Sequence, residues 1–233
     1  MSNFLSFGDR TRRIADVDSV AVIGLGRFGT ALALELMRTG TEVLGVDADE
    51  DIVQSLNGQL TQVVRADATR LETLEQLDIG SFDRVVVGVG SDIRASVLTA
   101  SLLLRLNVPA VWAKADDEQH ALILEQLGVH RVVAPEKEMG RRVAHLVRGA
   151  ATDYFEVEPG FAMVKTTVPE GLVDVTLGAS AGKLPKSISI AAVRSADGTW
   201  RNASASQERV LCAGDVFLIV GPTAQVEAFA QLR

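Results

Sequence analysis

A single cysteine in 233 residues, Cys212, excludes an internal disulfide and any cysteine-rich metal site. Set beside the apolar run 216–220, it reads as a small core residue rather than a nucleophile. No stretch of about 18 uncharged apolar residues occurs, so no membrane helix is expected. Basic residues are outnumbered, 23 Lys and Arg against 30 Asp and Glu, and a formal charge of −7 argues against a broad cationic face for nucleic acid. The three histidines, His120, His130 and His145, are scattered without metal-ligand spacing, and they read as surface or internally satisfied groups. Neither a G-x-S-x-G nucleophile turn nor a P-loop lysine is present. The opening stretch MSNFLSFGDRTRR lacks the apolar core and cleavage site of a secretory signal, so the expectation is a cytoplasmic protein whose membrane role, if any, comes through a partner.

Against these absences stands one dense stretch, SVAVIGLGRFGTALALELMRTGTEVLGVDADE, from Ser19 to Glu50. Apolar and β-branched residues lead into Gly24-Leu25-Gly26-Arg27-Phe28-Gly29, and a helix-forming run, 31–38, leaves it. The order is strand, turn, helix. In such a turn Gly24 permits the tight bend, Gly26 lets a pyrophosphate approach the backbone, and Gly29 allows the helix to pack closely on the strand. The phosphates then meet the free N–H groups and dipole of a helix N-terminus. A second strand, 42–47, ends in Asp47-Ala48, with the acid 23 positions after Gly24. There a carboxylate accepts from ribose hydroxyls and repels a 2′-phosphate.

Apolar runs at 20–25, 43–47, 62–66, 84–89, 110–114 and 131–133 read as strands, and VAVIGL, VLGV and VVVGV are nearly uninterrupted, as in parallel strands covered on both faces. Helices are expected over 49–56, 69–77 with Thr69 as cap, 93–106, 117–127 and 136–147. The last has apolar positions Met139, Val143, Leu146 and Val147 at helical spacing, a stripe for its own sheet or for another subunit. The fold class is α/β, a doubly wound parallel sheet over 19–150, preceded by an arm, 1–18, that carries Arg10, Arg12 and Arg13. Over 151–233 short strands at 155–157, 163–167, 188–194 and 216–220 and a helix at 223–231 imply a smaller α+β lobe, near the lower size limit for independent stability.

Candidate site residues fall at the carboxyl ends of the strands. Asp67-Ala68-Thr69 ends the third: Asp67 either contacts a base or caps the next helix. Val89-Gly90, after the fourth, is a close-approach point or an ordinary turn. Arg27 is a candidate phosphate partner or an exposed helix-start charge. Lys114, after Trp112, either reaches the crevice or escapes to solvent.

The strings VIGLGRFG, LGVDADE, ADAT, VGVGSDIRAS, WAKA and VVAPEKEMG resemble an RCK domain (regulator of potassium conductance), as found in the cytosolic regulatory subunits of Ktr and Trk potassium uptake systems. The likeness covers Ser19 to about Val147, and the second lobe resembles the family's C-terminal subdomain more loosely. It implies a homodimer assembling into an octamer beneath a membrane potassium-translocating subunit, with ATP/ADP exchange gating potassium flow and NAD(H) binding in some relatives. It further implies that Gly24, Leu25, Gly26, Arg27, Phe28 and Gly29 hold phosphates, that Asp47 and Ala48 hold the ribose, and that Asp67, Ala68 and Thr69 flank the base. Lys114 and Glu136 complete the site, Glu136 reaching across the dimer toward a terminal phosphate and a divalent cation, Mg²⁺ or Ca²⁺. Several relatives bind cyclic di-AMP in the C-terminal lobe. Here NASASQERVLCAGD replaces a Pro-containing stretch, and no pocket for it is legible. An NAD-dependent oxidoreductase fits the glycine turn equally well, but the second lobe has no histidine and no acid–base cluster, so a non-enzyme is expected.

Overall fold

The computed structural model describes residues 19–148 and 151–232 and divides, between Glu136 and Lys137, into two compact units. The arm expected over 1–18 lies outside the described residues.

In the first unit, strands β1 (Ser19–Ile23), β2 (Glu42–Asp47), β3 (Gln62–Arg65), β4 (Arg84–Val87), β5 (Ala110–Lys114) and β6 (Arg131–Val133) form one parallel sheet in the order β3-β2-β1-β4-β5-β6. Helices α1 (Arg27–Arg38), α2 (Glu50–Leu56), α3 (Leu71–Gln76), α4 (Ile93–Arg105) and α5 (Glu118–Leu127) provide the crossovers. Alternate residues of each strand enter different cores. Ala21 and Ile23 pack with Leu74, Leu103 and Leu124, whereas Val20 and Val22 pack with Ala33 and Leu56. Both faces are therefore covered, which is why β1, β2 and β4 are apolar along nearly their whole length. The strand order reverses direction between β1 and β4, and a crevice opens there at the carboxyl edge.

Two helix starts differ from expectation. Helix α1 begins at Arg27, four residues before the apolar run, because Gly29 lies within the helix rather than in the turn. Helix α3 begins at Leu71, with Arg70 at the N-cap and no side-chain cap. Thr69 is not the cap: its N–H and hydroxyl both donate to Asp67 Oδ1, at 3.0 and 2.6 Å.

Most of helix α6 (Pro135–Val147) belongs to the second unit, where His145 stacks on Tyr154 with ring centroids 3.9 Å apart and pairs with Glu227. Strands β7 (Asp153–Glu158), β8 (Phe161–Thr167), β9 (Ser189–Arg194), β10 (Trp200–Asn202) and β11 (Val216–Pro222) form an antiparallel sheet in the order β10-β9-β11-β8-β7. Helices α7 (Leu177–Ala181) and α8 (Thr223–Ala230) complete the unit. One face carries the core, so burial alternates along β8 and β11: Ala162, Val164 and Thr166 point in, as do Phe217 and Ile219. Helix α7 and strand β10 are additions to the expected elements. The first is five small or apolar residues without periodicity, and the second is exposed throughout. Cys212 is exposed, contrary to its reading as a core residue, because the neighbouring Leu211 is the one fully buried. Among the described residues, no helix is long and apolar enough to cross a membrane.

Candidate functional site

The glycine turn is built by close backbone packing. Gly24 has φ +89°, and a Cβ there would lie 2.5 Å from Val89 Cγ2; a Cβ on Gly29 would lie 1.9 Å from the Gly24 carbonyl oxygen. Gly88, at the end of β4, is equally constrained, since its Cβ would approach the same oxygen to 2.6 Å. Only glycine fits these three places. Gly26 differs: its φ is ordinary and a Cβ would meet nothing within 4 Å. The missing side chain there leaves open space rather than relieving a clash, which suits the approach of a ligand group to the backbone.

Gly26 is also the N-cap of α1, with no side-chain cap and no acid in the first turn. Helices α2, α4 and α5, by contrast, are capped by Asp49, Asp92 and Asp117. An anion approaching α1 meets N–H groups for which no carboxylate competes.

Asp47 ends β2 beside this turn. Its Oδ2 accepts from the Leu25 N–H at 2.6 Å and its Oδ1 from the Asp49 N–H at 2.9 Å. Each oxygen retains a lone pair for a ligand hydroxyl. Asp67 is locked by Thr69, whose hydroxyl bond holds the carboxyl below its ordinary range. Across the crevice, Lys114 is almost buried, with 12% of its side chain exposed, and its Nζ donates to Glu136 Oε1 at 2.6 Å. That bond, with a smaller contribution from Arg27, lowers the Glu136 pKa. Lys114 thus reaches the crevice rather than solvent.

These groups line one cleft of about 660 Å³, comprising Gly24, Gly26, Arg27, Phe28, Asp47, Ala48, Asp67, Ala68, Thr69, Val89, Gly90, Lys114 and Glu136 among its walls. Leu25 and Gly29 are absent from the lining: Leu25 is buried beneath the turn with its N–H on Asp47, and Gly29 packs on Gly24. The cleft also contains Ile52, Asp92, Thr99 and Asp116, which the sequence reading passed over. Asp116 was legible as the acid two residues beyond β5. Six carboxylates (Asp47, Asp49, Asp67, Asp92, Asp116, Glu136) face two cations, Arg27 and Lys114. Behind the wall, buried His120 accepts from the Asp116 N–H through Nδ1 at 3.2 Å, which places its proton on Nε2 toward Ser96 Oγ, also at 3.2 Å. Burial lowers its pKa. Among the described residues there is no cluster of three or more metal-ligating side chains.

A TrkA-N domain model matches residues 20–135, a span that contains the whole cleft except Glu136. The Ktr system potassium uptake protein A of Vibrio alginolyticus is 33% identical over 87% of this chain and 91% of its own length. The chain belongs to the TrkA-N (RCK) family. The Ktr system potassium uptake protein C of Bacillus subtilis is 30% identical to this TrkA-N chain, over 90% of it and 94% of the relative. Among solved structures, the GsuK RCK domain aligns with a TM-score of 0.63 at 17% identity, over 94% of this chain and 48% of that one. The GsuK channel bound to NAD aligns at 0.53 and 21%, over 93% of this chain and 38% of that one. At these identities the structures establish the fold, and the chain spans less than half of each.

Proposed function

We propose that this TrkA-N chain is a cytoplasmic regulatory subunit, peripheral to the membrane, that senses adenine nucleotides and gates a potassium-translocating partner of the Ktr/Trk type. The relatives named as Ktr potassium uptake proteins support the transport role. The observation that carries the nucleotide role is the open space at Gly26 over an uncapped helix start, in one cleft with Asp47. In this reading the turn 24–29 and Arg27 hold phosphates, Asp47 and Ala48 the ribose, Asp67-Ala68-Thr69 the base side, and Val89-Gly90 the wall between.

Lys114 and Glu136 form the discriminating pair. A γ-phosphate entering beside Glu136 would bring a second anion to an acidic cleft, and Lys114 already supplies one positive charge between them. Mg²⁺ or Ca²⁺ would supply the rest, held by Glu136 and phosphate oxygens together. ADP lacks those oxygens, so the cation favours ATP. NAD(H), with two phosphates, is the other candidate, in keeping with the NAD bound by the GsuK channel. Met139 and Val143 of α6 stand 52% and 44% exposed, a surface suited to a homodimer and, through it, an octamer.

Calorimetry with ATP, ADP, NADH and NADPH tests this function. Tight ATP or NADH binding, weak NADPH binding and no hydride turnover are expected, with Asp47→Ala losing about tenfold or more in affinity and admitting NADPH. Hydride transfer to any substrate would favour the NAD-dependent oxidoreductase instead. NADPH binding tightly with no response to Asp47→Ala removes the ribose role. The cation role fails if Mg²⁺ stabilises ATP-loaded and ADP-loaded protein equally, or if Glu136→Gln responds like wild type.

A further inference from the structure

Among the described residues, the first unit buries three polar residues, Ser96, Thr99 and His120, and all three lie on helices α4 and α5. Their helix neighbours Ala100, Leu103 and Leu124 are fully buried in the apolar core. An apolar side chain at any of the three positions would fill the space without needing a hydrogen-bond partner. Two of the three hold loops that line the glycine-turn cleft. Thr99 Oγ1 donates to the Ala68 carbonyl at 3.3 Å and so fixes the loop after β3. His120 Nδ1 accepts from the Asp116 N–H, and Nε2 donates to Ser96 Oγ, both at 3.2 Å, which ties the loop after β5 to α4. Ser96 and Thr99 are three residues apart, on one face of that helix. One helix face therefore fixes loops from both sides of β1 in the sheet order, after β3 on one side and after β5 on the other.

Capping does not require the imidazole ring. Helix α5 is capped by Asp117, whose Oδ1 accepts from the His120 N–H at 2.7 Å, and the loop begins with the Ala115 N–H on the Val133 carbonyl at 2.8 Å. The bond to the ring fixes the residue between these two, Asp116, whose side chain lines the cleft. Its neighbour there is the buried lysine: a Cβ on Gly90 would lie 3.2 Å from Lys114 Nζ and 3.4 Å from Asp116 Oδ1. Both groups pack against one point of the loop after β4, so a displaced Asp116 alters the charge beside Lys114.

On the nucleotide reading of the cleft, on which this inference rests, we propose that His120 is a positioning residue: it holds Asp116 to α4 and so sets the Lys114 wall, as Thr99 sets the Ala68 wall. His120 touches no ligand and acts through the Asp116 backbone. A ligand that needs both walls then binds without having to order them.

Two substitutions in the full chain separate the two bonds of the ring. In His120→Asn the amide oxygen takes the place of Nδ1 and still accepts from the Asp116 N–H, whereas in His120→Gln the amide nitrogen takes the place of Nε2 and reaches only Ser96. Both lose the packing of the ring, so both should melt below wild type. Affinities for ATP, ADP and NADH are measured by calorimetry. His120→Gln should lose about tenfold or more for the tightest of the three, and His120→Asn should recover most of that loss. A loss in His120→Asn as large as in His120→Gln, or a His120→Gln affinity within about threefold of wild type, overturns the proposal. A second measurement needs no variant. Coupling is reciprocal, so if the Asp116 bond favours the nucleotide, the nucleotide favours the bond. Amide exchange at Asp116 in wild type should slow on saturation with the tightest of the three, and unchanged exchange overturns the proposal. Wild type that binds none of the three would overturn the nucleotide reading and this inference with it; wild type that binds, with His120→Gln indifferent, overturns this inference alone.

Discussion

The two units solve the burial problem in opposite ways. In the first, a parallel sheet is covered on both faces and its central strands β1, β2 and β4 are apolar along nearly their whole length. In the second, an antiparallel sheet has one covered face, and inward and outward residues alternate. Three of the four residues of β4 are buried, while β9 has one buried residue in six. The consequence extends to ligand sites. The parallel sheet ends in loops that converge on one crevice, made largely of backbone and carboxylates, whereas the antiparallel sheet offers turns.

The sharpest test of the contrast is Phe217→Ala against Leu218→Ala, neighbours on β11 with opposite directions. Phe217 is fully buried, and its truncation should cost about 3–5 kcal/mol and melt the second unit. Leu218, on the other face, should cost less than about 1 kcal/mol. Comparable losses would mean that the outer face is covered too. Denaturant unfolding followed by circular dichroism separates these outcomes.

A smaller effect is expected in the glycine turn. Gly29→Ala forces a Cβ against the Gly24 carbonyl and should destabilise the first unit by about 1–3 kcal/mol while abolishing nucleotide binding. Gly26→Ala meets open space, so its stability should stay within about 0.5 kcal/mol of wild type while phosphate affinity falls. Melting curves with and without nucleotide distinguish the two glycines; equal destabilisation would remove the assigned division of labour.

The smallest effect concerns pH. His120 is buried and neutral, and its pKa is lowered by desolvation. In the unfolded chain it takes up a proton near the ordinary imidazole value, about 6.5. Below that pH the unfolded state binds more protons than the folded one, so stability present above about pH 6.5 is lost as pH falls toward the lowered folded value. His120→Gln should be less stable at neutral pH but should lack this histidine-dependent decline. A variant that retains the full decline would assign it to the carboxylates.

What the sequence made legible follows the same division. VAVIGL and VVVGV were readable because burial on both faces removes polar interruptions, and the glycine turn because close contacts at Gly24 and Gly29 forbid a side chain while Gly26 stands open. Helix α1 starts four residues ahead of its apolar run, because Gly29, a weak helix former by propensity, sits inside its first turn. Asp67 and Thr69 bond to one another, a local pairing that competes with capping and has no separate signature. The pairing of Lys114 with Glu136 joins residues 22 positions apart through the sheet edge. In the second unit, β10 escaped notice because an exposed three-residue edge has no hydrophobic pattern.

The chain's two tryptophans are divided evenly: Trp112 on β5, 36% exposed beneath Arg131, and Trp200 on β10, 44% exposed beside Arg194. Each unit therefore carries its own fluorophore under a cation, one two residues from Lys114 and the other adjacent to Arg201. Intrinsic emission can be resolved into two channels by replacing either indole with phenylalanine, and each channel then reports on a different unit. Events at the glycine-turn cleft and in the second unit could be timed separately in one mixing experiment, without an attached dye.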